Sequence, residues 1–291
     1  MNRPKLLVVQ GDTSSALGGA LAARELGIAL AHVEAGLRTY DPNFPWPEEE
    51  NRVAIDKLSD LLFAPTNGNA ANLRREQISG RIHITGNSGI DALAGLVGGL
   101  SRKPVRRWLR RRQFKLLVTC HRRENWQAGL EGLATALHAL AKQRVVAEVI
   151  LPPNPSVTER MHCLLGGKPG IALIPPLSHP ATIAAMRSTD LVLSDSGGMQ
   201  EEAPALGVPL LILREKTERP EGLATGTMEL VGTDPERIVG AVDRLRQDRR
   251  LLRKMAQPCL PFGDGRSAPR IASICLAYLD EMEAARRSCL T

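Results

Sequence analysis

Short runs of apolar residues alternate along the chain with longer stretches whose apolar positions recur at helical spacing. Continuous apolar runs of four to six residues read as strands buried on both faces, and the stretches between them as crossover helices. In the first third the pattern predicts strands at Leu6–Val9, Ile28–His32, Leu61–Ala64 and Ile82–Thr85, with helices such as Ser15–Leu26 and Glu49–Leu58 between them. A second series follows at Lys115–Thr119, Val145–Leu151, Ile171–Ile174, Leu191–Ser194, Leu210–Leu213 and Met228–Val231. Strand and helix alternating in this way predict an α/β protein with parallel sheets, built as two Rossmann-like domains. The expected boundaries are 1–100 for the first domain, 113–265 for the second and 266–291 for a closing helix and tail. Four strand signals against six, with the opening strand uncovered at a sheet edge, read as either an unusually small first domain or a partial one.

Composition narrows this picture without redirecting it. Hydrophobic residues make up 43% and aromatics only 3%, so the core must be built from Leu, Ile, Val and Ala. No apolar run approaches the ~18 residues of a membrane span, and no secretory leader pattern opens the sequence. The five cysteines are odd in number, show no CxxC pair and suit a reducing cytoplasm. A net charge of +7 points to nucleic acid or to a small anionic ligand. Much of that excess lies in one run, Arg102–Arg112, which reads as a solvated linker or helix face. Zinc-finger spacing and aromatic RNA-binding strands are both missing, so no nucleic-acid partner is expected.

Polar clusters stand directly after several predicted strands, where open α/β sheets bind ligands. Gln10-Gly11-Asp12-Thr13-Ser14-Ser15 follows the first strand, and Asp12 either faces a ligand there or, with Thr13, only caps a helix. His32-Val33-Glu34-Ala35-Gly36-Leu37-Arg38-Thr39 follows the second with an acid, a glycine and a base. Pro45-Trp46-Pro47-Glu48-Glu49-Glu50-Asn51-Arg52 leads into a helix; Glu49 and Glu50 read as dipole complements, and Glu48 stands at the entrance. In the second half His121, Arg122 and Arg123 crowd the loop after Thr119, as an anionic ligand would require. Ser196-Gly197-Gly198 opens a helix in a form that lets backbone N–H groups approach phosphate, with Glu202 one turn further on as a ribose acceptor or a surface acid. Thr217-Glu218-Arg219-Pro220-Glu221 is a further mixed-charge loop. No His, Cys and carboxylate cluster has metal-ligand spacing, and neither a GxSxG nor a P-loop occurs.

The runs GDTSS, HVEAGLRT, PWPEEENR, LFAPT, TGN-x-x-IDAL, HRREN, DSGGMQEEAP and ERPE followed by GT-x-x-LVGTD resemble, in order and spacing, the UDP-N-acetylglucosamine 2-epimerases. The resemblance covers nearly all the chain from Leu6 to about Arg237. It implies a glycosyltransferase-B-like pair of domains and interconversion of UDP-GlcNAc with UDP-ManNAc, a precursor of surface polysaccharide. The implied route eliminates UDP to a glycal and adds it back, with no metal and no cofactor. On motif position Asp12, Glu34 and Glu48 carry over as acid/base carboxylates. Ser196, Gly197 and Glu202 carry over as UDP-binding, with Arg52 and Arg219 as secondary polar candidates, and His121, Arg122 and Gly198 join them as substrate-binding residues from their strand-end loops. A hydrolysing epimerase releasing ManNAc and UDP, and a non-catalytic UDP-sugar-binding subunit, are the alternatives.

The chain also departs from the family pattern. Relatives carry a strand and a GTRPE-type loop ahead of GDT, so the resemblance implies an amino-terminal segment lacking here and a homodimer, or a partner chain supplying it. Pro152 stands where the family has a histidine in H-x-NP, Thr182 where it commonly has an aromatic residue, and Cys120 where it usually has glycine.

Overall fold

The computed structural model describes residues 3–100 and 113–288. They fall into two compact units, Met1–Gly95 with Phe262–Thr291, and Leu96–Pro261. The basic run 102–112 and the tail from 289 lie outside the described residues.

The first unit runs β1 (Leu6–Gln10), α1 (Ser14–Glu25), β2 (Ala29–Val33), α2 (Glu48–Leu58), β3 (Leu61–Ala64), α3 (Asn67–Arg75), β4 (Arg81–Ile84) and α4 (Ser88–Val97). Its strands are parallel in the order β1-β2-β3-β4, each beside its neighbour in sequence. The central strands β2 and β3 are the most apolar, and Leu30, Ala31, Leu61, Leu62, Phe63 and Ala64 are fully buried. β1 stands at one edge of this sheet, where Val8 is half exposed. Gly36, at φ +82°, ends the turn after β2; a Cβ there would lie 2.4 Å from the Asn69 carbonyl oxygen, so only glycine lets α3 pack this closely.

The second unit runs β5 (Lys115–Thr119), α5 (Ala128–Lys142), β6 (Val146–Ile150), α6 (Pro155–Leu165), β7 (Ile171–Ile174), α7 (His179–Arg187), β8 (Leu191–Ser194), α8 (Gly197–Leu206), β9 (Leu210–Ile212), α9 (Pro220–Ala224), β10 (Met228–Leu230), α10 (Pro235–Gln247) and α11 (Arg249–Met255). All six strands are parallel, in the order β10-β9-β8-β5-β6-β7. This is the doubly wound order in which the winding reverses between the first and fourth strands, here β5 and β8. Leu116, Val118, Leu191, Leu193 and Leu211 from the sheet meet Leu133, Leu137 and Leu140 of α5 in one continuous core.

After Pro261 the chain returns to the first unit. Helix α12 (Ser267–Ser288) packs Ile271, Ile274, Cys275 and Tyr278 against Ala31, Val33, Leu61 and Phe63. Its amino end is capped across the fold, because the Asp91 carboxylate of α4 accepts from the Ser267 and Ala268 N–H groups at 3.0 and 2.8 Å. The closing helix read from sequence as a segment of its own is thus a covering layer of the first sheet. Among the described residues no helix is long and apolar enough to cross a membrane.

Candidate active site

In the first unit the polar turns after β1 and β2 meet the head of α2. Thr13 is the cap of α1, its Oγ1 accepting from Ala16 N–H at 3.2 Å, which leaves Asp12 for other work. One Asp12 carboxylate oxygen lies 2.5 Å from Arg52 Nη2, and the Asp12 carbonyl accepts from Asn51 Nδ2 at 2.9 Å. Arg52 is almost wholly buried and also stands 3.3 Å from the Glu49 carboxylate. It is therefore a partner for Asp12 and Glu49, tying the first turn to α2.

Glu34 follows β2 in a left-handed conformation, φ +75°, which costs a non-glycine residue about 1–3 kcal/mol and persists here because its N–H donates to the Phe63 carbonyl at 3.1 Å. Its carboxylate accepts from Asn87 Nδ2 at 3.3 Å, and a Cβ on Gly11 would sit 3.5 Å from Glu34 Oε2. Half-buried Glu48 begins α2, one turn before Arg52. Asp12, Glu34 and Glu48 thus stand on three segments drawn together by Gly11, Asn51 and Arg52. Glu49, read from sequence as a dipole complement, does more: it is buried, and its Oε1 accepts from both Thr39 and Tyr40 N–H at 2.9 Å.

In the second unit the residues after β5 and β8 flank the point where the winding reverses. The strand ends are locked by a 2.6 Å hydrogen bond between the Thr119 and Ser194 hydroxyls. Asp195, fully buried, organises the loop: its carboxylate accepts from His121 N–H at 3.0 Å, Arg122 N–H at 2.8 Å and Asn125 Nδ2 at 2.9 Å. The His121 and Arg122 backbones are consumed by this clamp, while the His121 side chain stays 44% exposed, 3.4 Å from Asp195. Cys120 is buried beneath the loop; burial pushes its thiol well above the ordinary range, and the Asp195 carboxylate adds to the effect.

Helix α8 is preceded by Ser196, whose hydroxyl makes no cap bond. The two glycines behind it differ. A Cβ on Gly197 would lie 3.0 Å from Arg219 Nη1, whereas on Gly198 it would meet nothing nearer than Ser196 Oγ at 4.0 Å. Gly197 is a packing requirement, and Gly198 leaves the face of the helix end open. Arg219 Nε donates to Glu201 at 2.6 Å and Nη1 to Glu218. It is a buried, paired cation beneath the positive end of α8 rather than a side chain reaching outward. Glu202 is likewise engaged, 2.6 Å from His179 Nε2; burial raises its carboxyl above the ordinary range, and the His179 contact partly offsets this.

The Pro152 carbonyl accepts from Thr158 Oγ1 at 2.7 Å, and Pro152 lines a cavity of about 430 Å³ walled by Pro153, Pro155, Pro175, Pro176 and His162. Thr182 Oγ1 donates to the Ser178 carbonyl at 3.1 Å within α7. Asp195, Asn125, Asn51 and Asn87 escaped the reading of candidate residues. Asp195 was discoverable as a carboxylate ending an apolar strand, whereas the three amides carry no local signal.

The chain matches the protein-family profile described as UDP-N-acetylglucosamine 2-epimerase over residues 1–276. It is 39% identical over 287 residues to the UDP-N-acetylglucosamine 2-epimerase of Salmonella typhimurium, covering 95% of this chain and 76% of that protein. It is 40% identical over 280 residues to that of Escherichia coli K12, covering 92% and 74%. Among solved structures, the UDP-GlcNAc 2-epimerase from Neisseria meningitidis bound to UDP-GlcNAc superposes with a TM-score of 0.87 at 36% identity, over 94% of this chain and 76% of that one. The Methanocaldococcus jannaschii enzyme in complex with UDP-GlcNAc and UDP gives 0.78 at 34%, over 94% and 76%. The chain thus spans about three quarters of the length of these relatives. On sequence and on fold alike, it belongs to the UDP-N-acetylglucosamine 2-epimerase family.

Proposed function

We propose that the chain interconverts UDP-GlcNAc and UDP-ManNAc by eliminating and re-adding UDP. A carboxylate removes the proton on sugar carbon 2, the C–H electron pair becomes the C1–C2 double bond, and the C1–O pair leaves with UDP. Return of UDP to carbon 1 and of a proton to the other face of carbon 2 completes the inversion. The observation that supports this reading is the meeting of the Asp12 and Glu34 turns through Gly11, with Asn51 and Arg52 tying Asp12 to α2, the helix that Glu48 begins. We assign these three the proton transfers, with Arg52 and Asn51 orienting Asp12 and Asn87 orienting Glu34. Departing UDP needs dipoles and cations, supplied by the open helix end at Gly198, by the Ser196 hydroxyl and by the His121 and Arg122 side chains. Gly197 and Arg219 support that helix end by packing and charge, and Glu202 serves the ribose hydroxyls through its pairing with His179.

The exposed edge of β1 favours an assembly in which a second chain, a like copy or another protein, lies along it. The four described cysteines are free, which suits cytoplasmic residence. Phosphorus and proton NMR of the product formed from UDP-GlcNAc tests the reaction. UDP-linked ManNAc is expected, whereas free ManNAc with free UDP would establish the hydrolysing reaction instead.

A further inference from the structure

We propose that His32 is a positioning residue for the first-unit carboxylates: its ring spans from Asp56 to the Gly11 carbonyl and fixes the turn that presents Asp12. This rests on the role proposed for Asp12. His32 lies in β2 and is fully buried. Its Nε2 stands 3.0 Å from the Gly11 carbonyl oxygen, which can only accept, so that nitrogen carries a proton. Its Nδ1 lies 2.6 Å from Asp56 Oδ1 on α2. The other Asp56 oxygen accepts from Gly36 N–H at 3.1 Å and from Arg38 Nη1 at 2.8 Å. Arg38 in turn makes a two-pronged pair with Glu76 at 2.8 and 2.7 Å. A chain of buried groups thus runs from the end of α3 through α2 to the imidazole and sets the ring's orientation from behind.

The far end of that chain is the turn itself. Gly11 adopts φ +71°, and its N–H donates to the Val33 carbonyl at 3.1 Å. With its carbonyl held by His32, this residue is gripped on both sides. The peptide it enters is the one that leads into Asp12, and its open α-carbon face lies against Glu34. Rotating the Gly11 carbonyl away would therefore swing Asp12 relative to Arg52 and disturb the seat of Glu34 together. No substrate contact is assigned to the imidazole; it acts through the backbone it holds.

Two substitutions in the full chain separate this role from burial alone. The amide nitrogen of glutamine reaches the place of Nε2, and that of asparagine the place of Nδ1. His32→Gln keeps the donor to Gly11, and His32→Asn keeps only the contact to Asp56. Amide hydrogen exchange over residues 11–16 should quicken on the order of 10-fold in the asparagine variant, with α2 and α12 unchanged, and stay near wild type in the glutamine variant. With UDP-GlcNAc, the asparagine variant should lose roughly 100-fold in kcat with KM within about two-fold, and glutamine should recover most of it. Equal behaviour of the two variants, or faster exchange throughout the first unit, would overturn the proposal. If the asparagine variant does not fold, His32→Gln decides alone: kcat within about 10-fold of wild type supports the strut, and a folded variant losing roughly 100-fold refutes it. Full turnover in Asp12→Asn would instead sink the role of Asp12, leaving the exchange result to judge the strut by itself.

Discussion

Gly197 and Gly198 are neighbours with opposite reasons for lacking a side chain, and alanine at each should read them out separately. At position 197 the new methyl would stand 3.0, 3.2 and 3.3 Å from Nη1, Cζ and Nη2 of Arg219. The guanidinium cannot easily retreat, because Glu201 holds its Nε at 2.6 Å and Glu218 holds Nη1. Overpacking of this kind costs about 1–3 kcal/mol, and loosening one charge-assisted hydrogen bond adds about 1.5–3 kcal/mol if it breaks. Exchanging glycine for alanine in a helix returns up to ~1 kcal/mol. With that hydrogen bond kept, the net expectation for Gly197→Ala is a loss of roughly 1–2 kcal/mol in the second unit. At position 198 only the propensity gain applies, since nothing lies within 4.0 Å except Ser196 Oγ at that limit. Its methyl does, however, occupy the approach to the open N–H groups. Gly198→Ala should hold wild-type stability or slightly more while UDP binds at least ~10-fold more weakly, about 1.4 kcal/mol. Urea unfolding gives the first quantity and calorimetric titration with UDP the second. Equal stability of the two variants, or undiminished UDP affinity in Gly198→Ala, would refute the division of roles.

Further outcomes follow from the same contacts. Asp195→Asn leaves buried donors of the 121–125 loop facing an amide, and should cost at least ~2 kcal/mol in urea unfolding, with faster exchange at the His121 and Arg122 amides. The Glu202 carboxyl is raised in the folded state, chiefly by burial, so the folded chain binds the extra proton above the ordinary value of 4.5. That contribution is complete below 4.5 and is lost as pH rises through the raised value; Glu202→Gln should flatten this decline in stability measured against pH. Asp12→Asn and Glu34→Gln should each lower kcat by about 10²–10⁴ while UDP affinity holds, as steady-state rates and calorimetry would establish.

The sheets were legible because parallel strands buried on both faces are nearly pure apolar runs, and β3, β5 and β8 coincide with those runs. Strand ends were legible for the same reason. The doubly wound order was only implied, since β5 pairs with β8 across more than seventy residues. The return of α12 to the first sheet had no local mark either; it depends on Asp91 capping a helix that begins at Ser267. Arg52 and Arg219, carried over as substrate-binding residues, and Arg38 are sunk among carboxylates supplied largely by other segments, which no local pattern marks. Burial of Arg38 works against its charge, and Glu76 and Asp56 more than restore it, so its guanidinium ends above the ordinary range. Periodicity identifies which face of an element is apolar, but it cannot pair His32 with Asp56 or Arg219 with Glu201, because those partners meet only after the chain has folded.

The central claim, inversion at carbon 2 through removal of its proton, is tested most directly by proton NMR of UDP-GlcNAc incubated with the chain in deuterium oxide. The account predicts UDP-ManNAc carrying deuterium at carbon 2, with the same exchange entering recovered UDP-GlcNAc. Epimer that keeps protium at carbon 2, or the absence of any epimer, would contradict it.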